Sequence, residues 1–151
     1  MKITDALLGE HGILYAQFDY MERTLRGSLT LEQVHSAAAI LASAMKPHAD
    51  LEEELLFAPA LECMGHPHAA LDVMHEEHEE VKEHIAAAGN AVRVDVATEE
   101  LLRALDLARY HFLKEEQVTF PLAEQLLGAK ELERLGEEWA ARRAVVLASA
   151  D

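Results

Sequence analysis

An all-α protein is predicted, an antiparallel up-down-up-down four-helix bundle with a short C-terminal fifth helix, on three observations. Alanine, leucine and glutamate dominate a chain that is 50% hydrophobic but only 5% aromatic, with Gly 7 and Pro 4, which is the usage of helices rather than sheets. Apolar residues recur at alternating steps of three and four in four separate segments, the spacing that lines one face of a helix. Capping and turn residues fall between those segments. At 151 residues the chain is expected to form one domain, 1–151, with the bundle over about 5–126 and the last helix over about 129–148.

Thr4 is placed to cap a first helix that runs to Arg26, with Gly27 ending it. Thr30 and Gln33 form a capping box that opens a second helix, which reaches about Leu56 before Pro59. Pro67 suits the first turn of a third, because proline has no N–H to waste there, and Gly89 and Asn90 close it. Thr98 is placed to cap a fourth that ends before Gly128, and KELERLGEEWAARRAVVLA supplies the fifth. Pro47 and Pro121 lie within helical pattern, so a kink or local break is expected at each.

The formal charge of −15 repels phosphate backbones and anionic lipid headgroups, and no Lys/Arg cluster interrupts it, so neither nucleic acid nor a membrane is an expected partner. Cys63 is the single cysteine, which rules out an internal disulfide and a thiolate cluster within one chain; a buried spectator thiol is expected. The N-terminal MKITDALLGEHG lacks the apolar core of a signal peptide, and no run of about 20 apolar residues could span a bilayer. A cytoplasmic location is expected.

The chain repeats itself. HADLEEELLF from His48 and HFLKEEQVTF from His111 both read H-x-x-x-E-E-x-x-x-F, and Glu10-His11-Gly12-Ile13-Leu14 resembles Glu77-His78-Glu79-Glu80-Val81. Each copy is a helix pair with one His on its first helix and His-x-x-x-Glu on its second. The helical phase assigns these groups to the core. Leu7, His11, Leu14, Phe18, Met21 and Leu25 form one seam; Leu41, Met45, His48, Glu52 and Leu55 a second; Leu71, Met74, His78, Val81 and Ile85 a third. Leu101, Ala104, Ala108, His111, Glu115 and Val118 form the fourth. Buried carboxylates without partners cost several kcal/mol or titrate to neutrality, and two metal ions would supply the partner. In antiparallel helices the six side chains differ in height by roughly 10 Å at 1.5 Å per residue, a stagger that lets them converge.

The order His11, His48-x-x-x-Glu52, His78, His111-x-x-x-Glu115, with a Phe and a Pro after each pair, resembles the hemerythrin-like HHE cation-binding family over residues 5 to 126 or so. That resemblance implies two non-haem iron ions with an oxo or hydroxo bridge in a four-helix bundle. By it, Glu52 and Glu115 bridge the ions, His11 and His48 hold one, and His78 and His111 hold the other. The chain departs from the oxygen-carrying members one turn before the third-helix ligand, where they have a further His and this sequence has Met74. His75 next to it is the candidate replacement, which leaves four His or five.

Other residues carry weaker signals. Tyr15, one turn after His11, is a candidate phenolate or hydrogen-bond donor to the site, against its reading as an ordinary core tyrosine. Glu10 and Glu77 precede the two single His and are candidates to orient them. His84 points away from the seam, toward solvent; His35, His66 and His68 suit surface or capping roles; Met21, Met45 and Met74 suit the core. Spacing excludes competing motifs. HEEH at His75 has its two His three apart where zinc proteases need four, only Glu32/His35 has ferritin-type spacing, and there is no phosphate loop or nucleophile elbow.

An imidazole-rich, carboxylate-bridged site suits iron, with zinc and manganese left open, and six or seven protein groups leave two ions partly uncoordinated. The expected occupant is a small diatomic or peroxide. Three functions fit: binding or sensing of O₂, NO or peroxide; an enzyme that reduces peroxide or NO, or donates iron for repair of damaged centres; and storage or buffering of iron or zinc.

Overall fold

The computed structural model describes residues 1–66 and 69–146, and among them every regular element is helical. In chain order these are α1 (Ile3–Leu25), α2 (Leu31–Glu52), a π turn (Glu53–Phe57), α3 (Ala58–Met64), α4 (Ala69–Asn90), α5 (Val94–Lys114), a second π turn (Glu115–Thr119) and α6 (Phe120–Arg142). None of the described helices is long and apolar enough to cross a membrane.

Several helix ends fall where capping chemistry puts them. Thr30 Oγ1 accepts from Gln33 N–H at 3.3 Å while the Gln33 side chain accepts from Thr30 N–H at 2.9 Å. α1 ends at Leu25 and α4 at Asn90. Two expected caps are corrected. α1 begins before Thr4, with Lys2 N–H donating to Asp5 at 3.0 Å, and Thr4 lies buried inside the helix, where its hydroxyl donates to Glu124 at 2.5 Å. α5 begins at Val94 rather than at Thr98, with the Arg93 guanidinium paired to Asp95 in its first turn.

The two π turns change the phase of the pattern. The second helix does not stop at Leu56: Ala58 N–H reaches back five residues to Glu53 O, and the chain continues through Pro59 to Gly65, whose φ of 71° ends α3. Phe120 N–H reaches Glu115 O in the same way just before Pro121. A proline cannot donate to the carbonyl four residues behind it and crowds that carbonyl, so each π turn absorbs the break that the proline imposes. Pro47, by contrast, sits within α2 without ending it. The added residue also overturns one expected core position. Val118 is 53% exposed, and Thr119 is buried in its place.

At the far end, α6 breaks at Gly128, where φ 72° and ψ 164° are open only to glycine at low cost. The segment after it is helical only to Arg142, so the expected extension toward 148 is corrected; Ala144 turns left-handed and Val145 N–H folds back to Ala140 O at 2.8 Å. Pro67, His68, Leu147 and Ala148 lie outside the described residues.

Buried side chains form two apolar clusters. One contains Leu14, Phe18, Met45, Val81 and Phe112, and the other Leu7, Leu51, Met74, Phe120 and Trp139. On α1, α2 and α4 the site histidine falls between a residue of one cluster and a residue of the other: Leu7/Leu14 around His11, Met45/Leu51 around His48, Met74/Val81 around His78. The cores therefore cap a polar layer from both sides.

The N-terminus is seated on α6 at Gly136, where a Cβ would lie 2.3 Å from Met1 O and 3.1 Å from Ile3 N. Gly136→Ala is expected to destabilise the protein by about 1–3 kcal/mol, because backbone has to move to admit it. Gly9→Ala, with nothing within 4 Å of its Cβ, is expected to stabilise α1 by about 0.5–1 kcal/mol. Denaturant unfolding of the two variants beside the parent checks both signs.

Candidate metal centre

Each His-x-x-x-Glu pair spans one helical turn, so imidazole and carboxylate emerge on the same face and toward the same layer. His11, His48 and His111 are each 1% exposed, and Glu52 and Glu115 are fully buried; the His78 side chain is 7% exposed. Ligand-type atoms of His11, His48, Glu52 and Glu115 all lie within 4.8 Å of one another, as do those of Glu52, His78, His111 and Glu115. Both groups thus share the same two carboxylates.

The oxygens of those carboxylates are divided between the groups. Glu52 Oε1 lies 3.1 Å from His48 Nε2 and 3.4 Å from His11 Nε2, while its Oε2 lies 3.4 Å from His78 Nε2. Glu115 Oε2 lies 3.4 Å from His11 Nε2, and its Oε1 lies 3.1 Å from His111 Nε2 and 3.9 Å from His78 Nε2. Proximity here is not hydrogen bonding. Both oxygens of Glu52 and of Glu115, with His78 Nε2 and His111 Nε2, are buried without a hydrogen-bond partner among the described residues. Orphaned acceptors and ring nitrogens aimed at common points are the arrangement a cation satisfies, and this donor set of imidazole nitrogen and carboxylate oxygen fits iron, zinc or manganese.

A ring of outer carboxylates sets the orientation of the imidazoles. His48 Nδ1 donates to Glu10 at 2.7 Å, His78 Nδ1 to Glu53 at 3.1 Å, His111 Nδ1 to Glu77 at 3.0 Å and His11 Nδ1 to Glu116 at 3.0 Å. With each Nδ1 committed outward, each Nε2 is turned to the centre. The pattern is cyclic: a glutamate on α1 holds the His of α2, one after α2 holds that of α4, one on α4 holds that of α5, and one after α5 holds that of α1. Glu10 and Glu77 therefore do orient imidazoles, but across to the paired helix and not on the histidine beside them in sequence. Glu53 and Glu116, the second Glu of each H-x-x-x-E-E, are added to the site by the structure, and the repeat of that dyad is the signal in the sequence that points to them. The phenyl rings of the same phrases cross over too, Phe57 stacking on His78 and Phe120 on His11.

The outer ring is itself braced. Arg143 donates to both oxygens of Glu10, at 2.7 and 2.9 Å, and Trp139 Nε1 adds a third bond at 3.0 Å. Burial would raise the Glu10 carboxyl, but His48 and Arg143 hold it below its ordinary value. Lys114 pairs with Glu77, which burial would raise and Lys114 and His111 lower.

His75 and Tyr15 lie outside both groups. His75 is 65% exposed and meets Glu53 at 3.1 Å, sharing that carboxylate with His78. The Tyr15 ring sits edge-on to His11 at 6.3 Å, and burial with Glu116 nearby pushes its phenol up to about 12, against a phenolate. His84 corrects the expectation of a solvated residue: it bonds Glu100 of α5 at 2.5 Å and its side chain is 20% exposed. His35 Nε2 bonds Ala91 O at 2.9 Å, a capping contact past the end of α4. Cys63 is exposed, not buried, with its thiol donating to Leu126 O at 3.3 Å.

Helices that close over a layer of four imidazoles and two shared carboxylates define a metal-cation-binding helical protein. The chain belongs to the hemerythrin HHE cation-binding domain family, whose model matches residues 2–123. No curated protein and no solved structure matches it.

Two expectations follow from the geometry. Burial disfavours protonation of the imidazoles, but Glu52 with Glu115 pushes His11 up to about 9, Glu52 with Glu10 pushes His48 up to about 10, and Glu52 with Glu53 pushes His78 up to about 9. Values raised from 6.5 mean that proton uptake favours the metal-free fold fully below pH 6.5 and that this contribution is lost as pH rises through 9 to 10. The melting temperature of chelator-stripped protein should accordingly fall between pH 7 and pH 10 or so. Glu53→Ala and Glu116→Ala should each weaken metal retention by about 10–100-fold in chelator competition, whereas exposed Glu79→Ala should not.

Proposed function

We propose that this chain is a non-haem di-iron protein that binds or redox-handles a small oxidant, O₂, NO or peroxide, at a carboxylate-bridged pair of ions. The observation that carries the reading is the division of Glu52 and Glu115, each offering one oxygen to either pair of imidazoles. On this reading His11 and His48 hold one ion, His78 and His111 the other, and the two carboxylates bridge. Six protein groups under-fill two ions, and iron supplies open positions for a small ligand together with redox capacity. The protein's own part is to hold four imidazoles in one tautomer, exclude bulk water with Phe57, Phe112 and Phe120, and keep Glu52 ionised. Burial would raise Glu52, but His48, His11 and His78 hold it well below its ordinary value.

The same reading treats the chain as one domain in up-down-up-down order with the segment after Gly128 as a fifth helix. Crossed pairs support that order: Glu77, early in α4, meets His111, late in α5, while His84, late in α4, meets Glu100, early in α5. With a net charge of −15 the expected partner is a small diatomic or peroxide rather than nucleic acid or a membrane, in the cytoplasm.

Elemental analysis of protein from iron-replete cells should give about two metals per chain, mainly iron. A value near one, or none after reconstitution, would sink the proposal. Stopped-flow mixing of the reduced protein with O₂, NO or peroxide then separates the roles: a stable adduct is binding, oxidation without an adduct is turnover, and no response is storage. His78→Ala should lose metal and melt earlier, because a ligand is removed from a site that only the folded state offers. His75→Ala should keep its metal, and His84→Ala should lower only the melting temperature through the lost Glu100 contact; metal content and melting of the three variants side by side decide it.

A further inference from the structure

Between α2 and α4 runs a groove of about 470 Å³. Alanines wall it where larger side chains would close the gap, Ala38, Ala42 and Ala49 from α2 and Ala86 from α4, with Ile85 beside them. His78 is part of its lining, and His78 is the least buried of the four imidazoles, 7% exposed against 1% for the others. His78 is therefore the residue that the groove and the metal layer share, with its Nε2 buried on the side of the layer.

Two features narrow what it takes. A diatomic or hydrogen peroxide needs about the 30 Å³ share of one water molecule, whereas grooves of several hundred Å³ bury organic molecules. The charged residues among its walls neutralise one another locally: Lys46 pairs with Asp50 at 2.5 Å and Lys82 with Glu79 at 3.0 Å. With those pairs closed, alanines with Val81 and Ile85 make up most of the wall, so the complementary occupant is uncharged with an apolar body.

Resting on the oxidant reading above, we propose that the groove seats a neutral organic hydroperoxide, its alkyl or aryl body along the alanines and its O–O end at His78. This names the substrate class: the centre takes peroxides that carry an apolar group, with α2 and α4 as the specificity wall.

The alcohol 2-phenyl-2-propanol, which has the same body as cumene hydroperoxide and no O–O bond, tests the seat without any redox step. Titrated into the purified chain, it should bind saturably and shift the methyl resonances of Ala42, Ala86 and Ile85. Ala42→Phe and Ala86→Phe fill the groove from opposite walls at positions that are not deeply buried, and should each weaken binding by about tenfold or more. Ala42→Ser, which keeps the space, should bind as the parent does. Metal content should be unchanged in all three; the iron-loaded parent and Ala42→Ser should respond to both peroxides, and the two filled variants to hydrogen peroxide alone. Absence of saturable binding by the parent, or equal binding by both filled variants, overturns the proposal. If the alcohol binds and both fillers abolish it, yet the iron-loaded parent ignores both peroxides, the groove site stands and the oxidant reading falls.

Discussion

Two fully buried carboxylates with no hydrogen-bond partner among the described residues, Glu52 and Glu115, are the constraint around which this molecule is organised. Removing a carboxylate from water costs several kcal/mol even after relaxation, and an apolar core would reject it. Here the cost is met by arranging both around one centre, with imidazoles from four helices aimed at their oxygens. In the metal-free chain, protons on His11, His48 and His78 supply part of the missing positive charge. A metal ion supplies it better and has to displace the protons to do so, so metal binding and proton release are one event in this layer.

That layer divides the hydrophobic interior in two. A polar stratum across a bundle would weaken it unless each side were separately well packed, and each side is: Phe18, Leu41, Leu101 and Leu105 are fully buried on one, Leu7, Leu56, Leu132 and Leu135 fully or nearly so on the other. Full burial of each such side chain contributes about 1.5–3 kcal/mol, so the two clusters together outweigh the desolvation of the layer they enclose. Rigid apolar packing above and below also fixes the height of each helix. Imidazoles from different helices meet within hydrogen-bonding distance only if those heights are held.

The fold and the inner residues were legible because they obey a single rule. Alternating steps of three and four put His11, His48, Glu52, His78, His111 and Glu115 on the same seams as leucine and alanine, and polar groups on such a seam demand a partner. Legibility failed where the rule was broken or where the information lay in pairs of helices. Val118 fell out of the core because the π turn at Glu115–Thr119 inserts a residue that no hydrophobic pattern announces. Thr4 and Thr98 have capping chemistry, but Lys2 and Arg93 take the cap positions. Glu53 and Glu116 look like ordinary solvated glutamates one residue past a ligand position, and only the packing of α4 against α2, and of α1 against α5, shows that they bond imidazoles on the neighbouring helix.

The outer ring also explains an asymmetry between the two copies of the repeat. Its four carboxylates are related by the internal repeat, yet their braces are not: Glu77 takes a lysine from the adjoining helix, Glu53 takes exposed His75, and Glu10 takes Arg143 and Trp139 from beyond the stretch that matches the family. The C-terminal segment is thus tied to the metal layer through a two-oxygen guanidinium grip on the residue that orients His48. Three hydrogen bonds brace the carboxylate behind His48, whereas an exposed imidazole braces the one behind His78. The imidazole with the looser support is also the one that lines the α2/α4 groove. The two halves of a near-symmetric site therefore differ in how their imidazoles are held, His48 at 1% exposure behind the heavier brace and His78 at 7% against the groove.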